Sequence, residues 1–374
     1  MIVLRELLLL SLSAFLPLAA CSPAHLLVPS HDLSQTVKLQ DTWQPLVQVS
    51  KVAKPRPLVI WHGLGDSYNS PGILEFIVRV KNIHPGIFVH SIYLADTLDD
   101  DRRATFYGNV NEQVEQVAAQ LANITELADG FDAMGFSQGG QFLRAYIERH
   151  NVPPIHNLIT FGSQHMGISD IPGCRPFDVV CQLARRAAIR EVYSEWAQKQ
   201  LIQAQYFRDP ARLDRYLASN NFLASINNER PAERNTSYAA HLAVLNKLVL
   251  VLFLQDETVV PKESSWFGAY AAPNASRAEA EGQAGRQDVG ATEKTVVPMR
   301  LQPLYVEDWI GLRTLDERGA VVLETCDGEH MVLADECWQP LVRRFVGGET
   351  AALEDAGADP DSEGGEHLGL VVQA

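Results

Sequence analysis

A predicted strand that runs through a Gly-x-Ser-x-Gly motif into a predicted helix constrains this chain more than any other feature. The stretch GFDAMGF, residues 130–136, has the composition of a short buried strand and leads directly into Ser137. Residues 138–148 then carry large apolar side chains at helical spacing. In this context the motif predicts a nucleophile elbow, a sharp turn that projects the serine hydroxyl from the edge of a sheet. A serine that only caps the helix is the alternative.

Strand-like and helix-like segments alternate along the chain. Strands are predicted at residues 57–63, 87–94, 130–136, 155–162, 247–255 and 320–325, and helices at about 109–127, 138–148 and 331–346. This alternation predicts an α/β fold with a mostly parallel central sheet, and the elbow specifies the α/β-hydrolase type. Residues 165–245 are too many for a loop, so we expect a helical insertion over the active-site edge of the sheet.

The order of catalytic groups along the chain selects the base. A serine needs an imidazole base and an acid that orients it, and in this fold they follow as serine, acid, histidine. His330 lies in a turn just after the strand at 320–325, where the base is expected. His165 comes too early, His241 lies in the insertion and His367 lies in the acidic tail. The alternative for His330 is an ordinary surface histidine.

The acid is expected at the end of a central strand between the serine and the base. Asp256 directly follows the strongest strand, so its carboxylate would emerge beside Ser137. Glu257 is its rival. Three further aspartates have weaker contexts: Asp308, Asp316 and Asp327.

The loop IWHGLGDS predicts the second half of an oxyanion hole. Gly63 and Gly65 let the backbone approach the serine closely, and the Leu64 N–H is the expected donor. The N–H of Gln138, at the helix start, is the other donor. We interpret His62 as a structural hydrogen-bonding residue.

Residues 1–20 predict a cleaved secretory signal. Arg5 precedes an apolar run at 7–18 that is too short for a membrane span and is followed by small residues. A signal anchor is one alternative, and a bacterial lipoprotein signal acylated at Cys21 is another. Three glycosylation sequons favour a eukaryotic secretory route, at Asn123, Asn235 and Asn274.

The cysteines after Cys21 fall into two close pairs. Two local disulfides, Cys174–Cys181 and Cys326–Cys337, are the simple pairing in an oxidising compartment, and free buried thiols are the alternative. The spacing does not match a zinc site, so we expect no metal.

The net charge argues against nucleic-acid binding, and the composition indicates where the globular domain begins and ends. The net charge of -15 leaves no basic surplus to neutralise a nucleic-acid backbone. Residues 272–296 and the acidic tail at 347–374 have the composition of disordered segments. The globular domain is therefore expected at about 55–345.

Several motifs resemble the lysosomal type-one family of palmitoyl-protein thioesterases. They are VIWHGLGDS, NVNEQVEQV, AMGFSQGGQFLRAY, NLITFGSQHMGI, YSEWAQKQLIQAQYFRDP, FLASINNER and WFGAY. The resemblance implies a triad of Ser137, Asp256 and His330, oxyanion donors at Leu64 and Gln138, and a Cys174–Cys181 disulfide. Cys326 and Cys337 look particular to this chain, and Gln255 replaces a family asparagine that carries glycan. The 272–296 insert and the tail suggest a fungal homologue.

The resemblance implies hydrolysis of long-chain acyl thioesters. The expected substrates are S-palmitoylated proteins or peptides, or acyl-CoA, acted on without a cofactor by a monomer in the lysosome or vacuole. Trp196, Tyr206 and Phe222 are candidates for lining the acyl groove, with ordinary packing as the alternative. An oxygen-ester lipase with the same triad, or an inactive lipid-binding protein, are the rival functions.

Overall fold

The computed structural model describes residues 54–171, 187–272 and 294–348, together with the backbone of 370–371. The predicted signal segment, Cys174, Cys181, Asn274 and His367 lie outside these ranges. So do nearly all of the 272–296 insert and most of the tail. None of the helices in the described part of the chain is long and apolar enough to cross a membrane.

A six-stranded parallel sheet forms the centre of the molecule. The described strands, in chain order, are β1 Leu58–Trp61, β2 Val89–Ser91, β3 Phe131–Phe136, β4 Ile155–Phe161, β5 Lys247–Phe253, β6 Ala269–Tyr270, β7 Val296–Val297, β8 Val321–Cys326, β9 Val332–Leu333 and β10 Leu370–Val371. The sheet order is β2-β1-β3-β4-β5-β8, and every neighbouring pair is parallel. The α/β-hydrolase fold is therefore confirmed. All six carboxyl ends lie at one edge, which is where such sheets build their sites.

Helices cover both faces of the sheet. In chain order they are α1 Pro71–Ile83, α2 Leu98–Ala104, α3 Val110–Ala122, α4 Gln138–Arg149, α5 Glu195–Gln200, α6 Leu213–Ser219, α7 Leu223–Ile226, α8 Thr236–Ala243, α9 Pro303–Val306, α10 Leu312–Glu317 and α11 Asp335–Phe345. Short 3₁₀ turns supplement them at Thr125–Leu127, Ile202–Tyr206, Pro210–Arg212, Pro231–Glu233, Lys262–Trp266 and Met299–Leu301.

The central strands are apolar on both sides because each side faces a helical layer. In β1, Leu58 and Ile60 belong to one apolar cluster while Val59 and Trp61 belong to the other. All six residues of β3 are buried. Burying a large apolar side chain contributes about 1.5–3 kcal/mol, so these two clusters supply most of the stabilisation.

Four helices outside the insertion were not predicted, namely α1, α2, α9 and α10, and one helix start differs from the prediction. Helices α1 and α2 were not predicted, although Ser70 caps α1 through its side chain and Pro71 occupies the first turn. The closing helix was predicted from residue 331, and this start is wrong because it begins at Asp335. Val332 and Leu333 instead pair as a short strand with β10.

The described residues between β4 and β5 form short helices and 3₁₀ turns, and a buried arginine of α4 contacts them. Arg144 donates to Glu148 at 2.8 Å, to the Asn227 side chain at 2.8 Å, and to the carbonyls of Ile226 at 3.3 Å and His165 at 3.1 Å. The side chains of Arg144 and Glu148 are fully buried. Burial raises the pKa of Glu148 to about 7, although the Arg144 charge opposes this.

A second buried carboxyl lies at the amino edge of the sheet, near the start of β3. Asp132, in β3, accepts from the Gly347 N–H at 2.9 Å and from Arg56 at 3.2 Å. Burial raises the pKa of Asp132 to about 6, since the opposing charge of Arg56 compensates only in part. This carboxyl therefore joins both ends of the described domain to the sheet.

Candidate active site

Ser137 lies on a strained turn between β3 and α4. Its backbone has φ 51° and ψ -123°, which is unfavourable for a non-glycine residue. The turn is tight because the neighbouring glycines have no side chains. A Cβ on Gly135 would lie 2.3 Å from the Gly140 Cα, and one on Gly139 would lie 2.3 Å from the Trp61 carbonyl. The sequence therefore folds locally into the elbow, which holds the serine at the carboxyl edge of the sheet.

The structure brings Ser137, His330 and Asp256 together from three separate segments. His330 Nε2 lies 3.0 Å from Ser137 Oγ, and His330 Nδ1 lies 2.6 Å from Asp256 Oδ2. The serine can donate to Nε2 if Nδ1 carries the imidazole proton and donates it to the carboxylate. The Asp256 side chain is fully buried, and that of His330 is 5% exposed. This arrangement can activate a hydroxyl for attack on a carbonyl carbon.

Asp256 is held in place by the backbone that follows β5. Its Oδ1 accepts from the N–H groups of Thr258 at 2.8 Å and Val259 at 2.9 Å, which leaves Oδ2 for His330. Glu257 is exposed. The three other candidate acids have different partners: Asp308 accepts from Arg313, Asp316 from Arg300, and Asp327 from Gln255.

The loop that carries His330 is closed at both ends. Cys326 and Cys337 form a disulfide with a Cα–Cα distance of 5.3 Å and a sequence separation of 11. The Gln255 N–H donates to the Gly328 carbonyl at 2.9 Å, which ties the loop to the end of β5. Gly162 lies beneath the imidazole, where a Cβ would be 2.9 Å from the His330 ring. These contacts restrict the imidazole to the space between Ser137 and Asp256.

The loop after β1 passes directly over the serine. A Cβ on Gly63 would lie 3.2 Å from Ser137 Cβ, and the Gly65 N–H donates to Thr105 Oγ1 at 2.8 Å. The Leu64 N–H makes no hydrogen bond to any described residue. Gln138 opens α4, so its N–H is one of the unpaired donors of the helix start. Gln138 directly follows Ser137, and Leu64 directly follows Gly63, which lies next to the serine; their role as oxyanion donors stays a prediction.

His62 supports this loop from below. Its Nε2 lies 3.1 Å from Asp101 Oδ2, and both side chains are fully buried. Asp101 also accepts from the N–H groups of Tyr68 at 2.9 Å and Leu94 at 2.6 Å. The position of His62 agrees with a structural role.

An apolar cavity of about 480 Å³ lies within the segment between β4 and β5. Its lining includes Ile168, Val192, Trp196, Ala197, Leu201 and Phe207. Gln203, which also lines it, donates to the Thr105 carbonyl at 3.1 Å, and that carbonyl accepts from Gln138 at 3.2 Å as well. The cavity is therefore linked to the Gln138 side chain through Gln203 and the Thr105 carbonyl.

Of the three aromatic residues proposed for the groove, only one lines this cavity. Trp196 does so and is 62% exposed. Tyr206 is buried and donates to the Gln138 side chain at 3.0 Å, while Phe222 is buried with its ring 5.5 Å from that of Phe142. Tyr206 and Phe222 therefore pack the insertion against α4.

Sequence reasoning missed one residue that contacts the nucleophile. Gln164 Nε2 lies 3.0 Å from Ser137 Oγ, and the Gln164 side chain is buried. The sequence could have indicated Gln164 as a site residue, because it follows β4 closely and therefore lies at the carboxyl edge of the sheet.

The other predicted sites are placed as follows. Asn123 and Asn235 are exposed, at the end of α3 and the start of α8 respectively. Among the residues that the structure describes, no group of three His, Cys, Asp or Glu could hold a metal ion.

Comparisons with known proteins identify relatives over most of the chain. The family described as palmitoyl protein thioesterase matches residues 57–330. The chain is 38% identical to palmitoyl-protein thioesterase 1 of Caenorhabditis elegans over 279 residues, covering 74% of this chain and 87% of the relative. It is 32% identical to palmitoyl-protein thioesterase 3 of Dictyostelium discoideum, covering 80% and 93%. It is 30% identical to the lysosomal thioesterase PPT2 homolog of Drosophila melanogaster, covering 72% and 83%.

Proposed function

The chain belongs to the palmitoyl protein thioesterase family, and on that premise we propose that it removes palmitate from S-acylated cysteines of proteins or peptides through a serine acyl-enzyme. The observation that carries the mechanism is the pair of contacts at His330, 3.0 Å from Ser137 Oγ and 2.6 Å from Asp256 Oδ2. An imidazole between a hydroxyl and a buried carboxylate makes the serine a nucleophile.

Attack begins when His330 takes the Ser137 proton on Nε2 and Oγ bonds to the thioester carbonyl carbon. The buried Asp256 carboxylate stabilises the imidazolium that forms. The carbonyl oxygen becomes an oxyanion, and the N–H groups of Leu64 and Gln138 are the proposed donors that receive it. This charge develops only during the reaction, so these donors stabilise the transition state more than the substrate.

The intermediate then collapses with release of the cysteine thiolate. The C–S bond breaks, its electron pair stays on sulfur, and an ester of Ser137 remains. A thiol has a pKa near 8.5, so its thiolate is a good leaving group. A water molecule that gives its proton to His330 then attacks the ester, which releases palmitate and restores the serine.

The apolar cavity is the proposed place for the acyl chain. Its volume of about 480 Å³ lies within the usual range of small-molecule sites, and its lining is mainly aliphatic and aromatic. The location beside the Thr105 carbonyl and Gln138 would direct a bound chain toward the oxyanion side of Ser137.

The relatives imply a lysosomal or secretory-pathway enzyme. We propose that this chain acts in the lysosome or vacuole as a monomer, without a cofactor, and that palmitoyl-CoA is an accessible substrate.

The test compares two matched esters. A peptide with S-palmitoyl cysteine and the same peptide with O-palmitoyl serine are assayed for released palmitate. We expect the thioester to have the higher kcat/KM, whereas equal or faster hydrolysis of the oxygen ester would favour the lipase function. Ser137→Ala should abolish thioester hydrolysis while thermal unfolding stays cooperative.

Variants of the two neighbouring carboxyl residues, Asp256 and Glu257, test which one orients His330. Asp256→Asn should lower kcat by about 10⁴-fold, as in other serine triads, because the imidazole loses its orienting carboxylate. Glu257→Gln is the matched control, since Glu257 is adjacent and exposed, and we expect near-normal kcat. A reversed result would assign the acid to Glu257.

A further inference from the structure

Ser137 Oγ has a second polar partner besides the imidazole. Gln164 Nε2 lies 3.0 Å from it, and Gln164 is 3% exposed. A triad mechanism needs no such group, because His330 and the backbone N–H groups already handle the proton and the oxyanion. A buried side-chain amide on the nucleophilic oxygen therefore calls for a separate explanation.

The hydrogen-bond network determines which way this amide faces. Gln141 Nε2 donates to Gln164 Oε1 at 3.2 Å, so the NH₂ group of Gln164 is the one directed at the serine. When His330 Nδ1 carries the imidazole proton and donates to Asp256, Nε2 has no proton, so Ser137 directs its single proton to Nε2. Gln164 must therefore donate to Ser137 Oγ, and it cannot accept from it.

The donor is also held rigidly. The Gly167 N–H donates to the Gln164 carbonyl at 3.0 Å. The next two residues are tied to other elements, His165 through its carbonyl to Arg144 at 3.1 Å and Met166 through its N–H to Ser264 Oγ at 3.0 Å. A fixed donor of this kind acts on the charge of the oxygen it faces.

We propose that Gln164 is a catalytic residue that selects thioesters over oxygen esters. This inference rests on the proposed function and assigns a determinant of substrate class to the same site. A hydrogen bond to a charged oxygen is about twice as strong as one to a neutral oxygen. The Gln164 bond is therefore strongest when Ser137 Oγ carries negative charge, during attack or during the reverse expulsion. It is weakest when Oγ is fully bonded to the acyl carbon.

The selection operates at the tetrahedral intermediate, which can break in two ways. In the forward direction the bond to the leaving atom breaks and its electron pair departs with that atom. In the reverse direction the C–Oγ bond breaks, its electron pair returns to Oγ, and Oγ recovers its proton from His330. By stabilising charge on Oγ, Gln164 lowers the barrier to both attack and return.

The two substrates respond differently to this stabilisation. A thiolate leaves readily, so attack limits thioester hydrolysis and Gln164 accelerates it. An O-palmitoyl serine releases an alkoxide as basic as that of Ser137, and both oxygens take their proton from His330. The Gln164 hydrogen bond to Oγ therefore favours return of this intermediate to substrate over release of the alcohol. For that ester departure of the alkoxide becomes limiting while Oγ stays bonded to the acyl carbon, so Gln164 gives little net acceleration.

The experiment measures kcat/KM of the full-length protein for the S-palmitoyl cysteine peptide and its O-palmitoyl serine counterpart. Gln164→Leu should lower the thioester value by about tenfold, the size of one hydrogen bond to a developing charge. The oxygen-ester value should fall by no more than about twofold, so the ratio of the two falls by about fivefold or more. Gln164→Met, with an unbranched side chain of similar length, should give the same pattern and guards against a packing defect of the leucine. Circular dichroism verifies that both variants are folded.

Gln116→Leu is the matched control, because Gln116 is exposed on α3 and donates only to the Leu94 carbonyl. It should leave both rates and their ratio unchanged. Equal loss on both esters would overturn selection by Gln164, and so would an unchanged thioester rate. Failure of the proposed function would look different, since the wild-type protein would then hydrolyse the oxygen ester at least as well as the thioester.

Discussion

Removing the buried guanidinium of Arg144 should strongly lower the free energy of unfolding of this protein. The side chain is fully buried and donates to Glu148, to Asn227 and to two backbone carbonyls. Arg144→Leu leaves these acceptors without a donor and leaves the Glu148 carboxyl without its counter-charge. Breaking one side of a buried ion pair typically costs about 3–5 kcal/mol, and we expect a loss of unfolding free energy of this size.

A second substitution distinguishes the cost of the unpaired Glu148 charge from the cost of the lost hydrogen bonds to Arg144. Replacing both partners of a buried pair by apolar residues is often close to neutral, because no uncompensated charge remains. Arg144→Leu combined with Glu148→Leu should therefore be about 2 kcal/mol more stable than Arg144→Leu alone. It should still fall below the wild type, since Asn227 and the carbonyls of His165 and Ile226 lose their donor.

Urea unfolding followed by circular dichroism measures these differences in a double-mutant cycle. Arg149→Leu is the control, because Arg149 is on the same helix, is partly exposed and has an aromatic contact with Phe222 at 5.7 Å. We expect the control to change stability by less than about 1 kcal/mol. The reasoning is refuted if Arg144→Leu is equally mild, or if the double variant is no more stable than the single one.

Three further substitutions test other parts of the structure. The pKa of Asp132 is about 6 in the folded protein, above the ordinary aspartate value of 3.8 that applies to the unfolded chain. Only the folded carboxyl is therefore protonated between these two pH values. Wild-type stability should therefore fall as pH rises through this window, and Asp132→Asn should reduce that fall by up to about 3 kcal/mol in urea titrations; an unaltered pH profile would contradict this. Joint replacement of Cys326 and Cys337 by serine should lower the unfolding free energy by about 2–4 kcal/mol, and reductant should do the same to the wild type only. Gly139→Ala places a Cβ 2.3 Å from the Trp61 carbonyl, so we expect a loss of at least about 2 kcal/mol by thermal unfolding, and a variant with wild-type stability and activity would refute the tight-elbow argument.

Chain order and strand context were enough to predict the fold and to nominate the residues that meet at the site. Strands that alternate with helices form parallel sheets, and the carboxyl ends of parallel strands lie at one edge. Ser137, Asp256 and His330 each follow a predicted strand, so their proximity could be expected from the sequence. Helix α1 was not predicted, although Ser70 and Pro71 form a helix-start signal in the sequence.

Sequence alone left open which of two adjacent carboxylates contacts the imidazole. Consecutive side chains point in different directions, and the direction depends on the turn that follows the strand. In the structure two backbone N–H groups hold Asp256 toward His330, whereas Glu257 is exposed.

The contact between Gln164 and Ser137 depends entirely on the tertiary structure. These residues are 27 apart in the chain and follow different strands, and no local pattern links them. They meet because β3 and β4 are neighbours in the sheet and because Gln141 and the loop after β4 fix the amide. The sequence by itself determined the order of strands and the chemistry available at their ends. Packing decided which of those side chains touch, since contacts of 3 Å depend on side-chain directions that only the assembled sheet and its helices define.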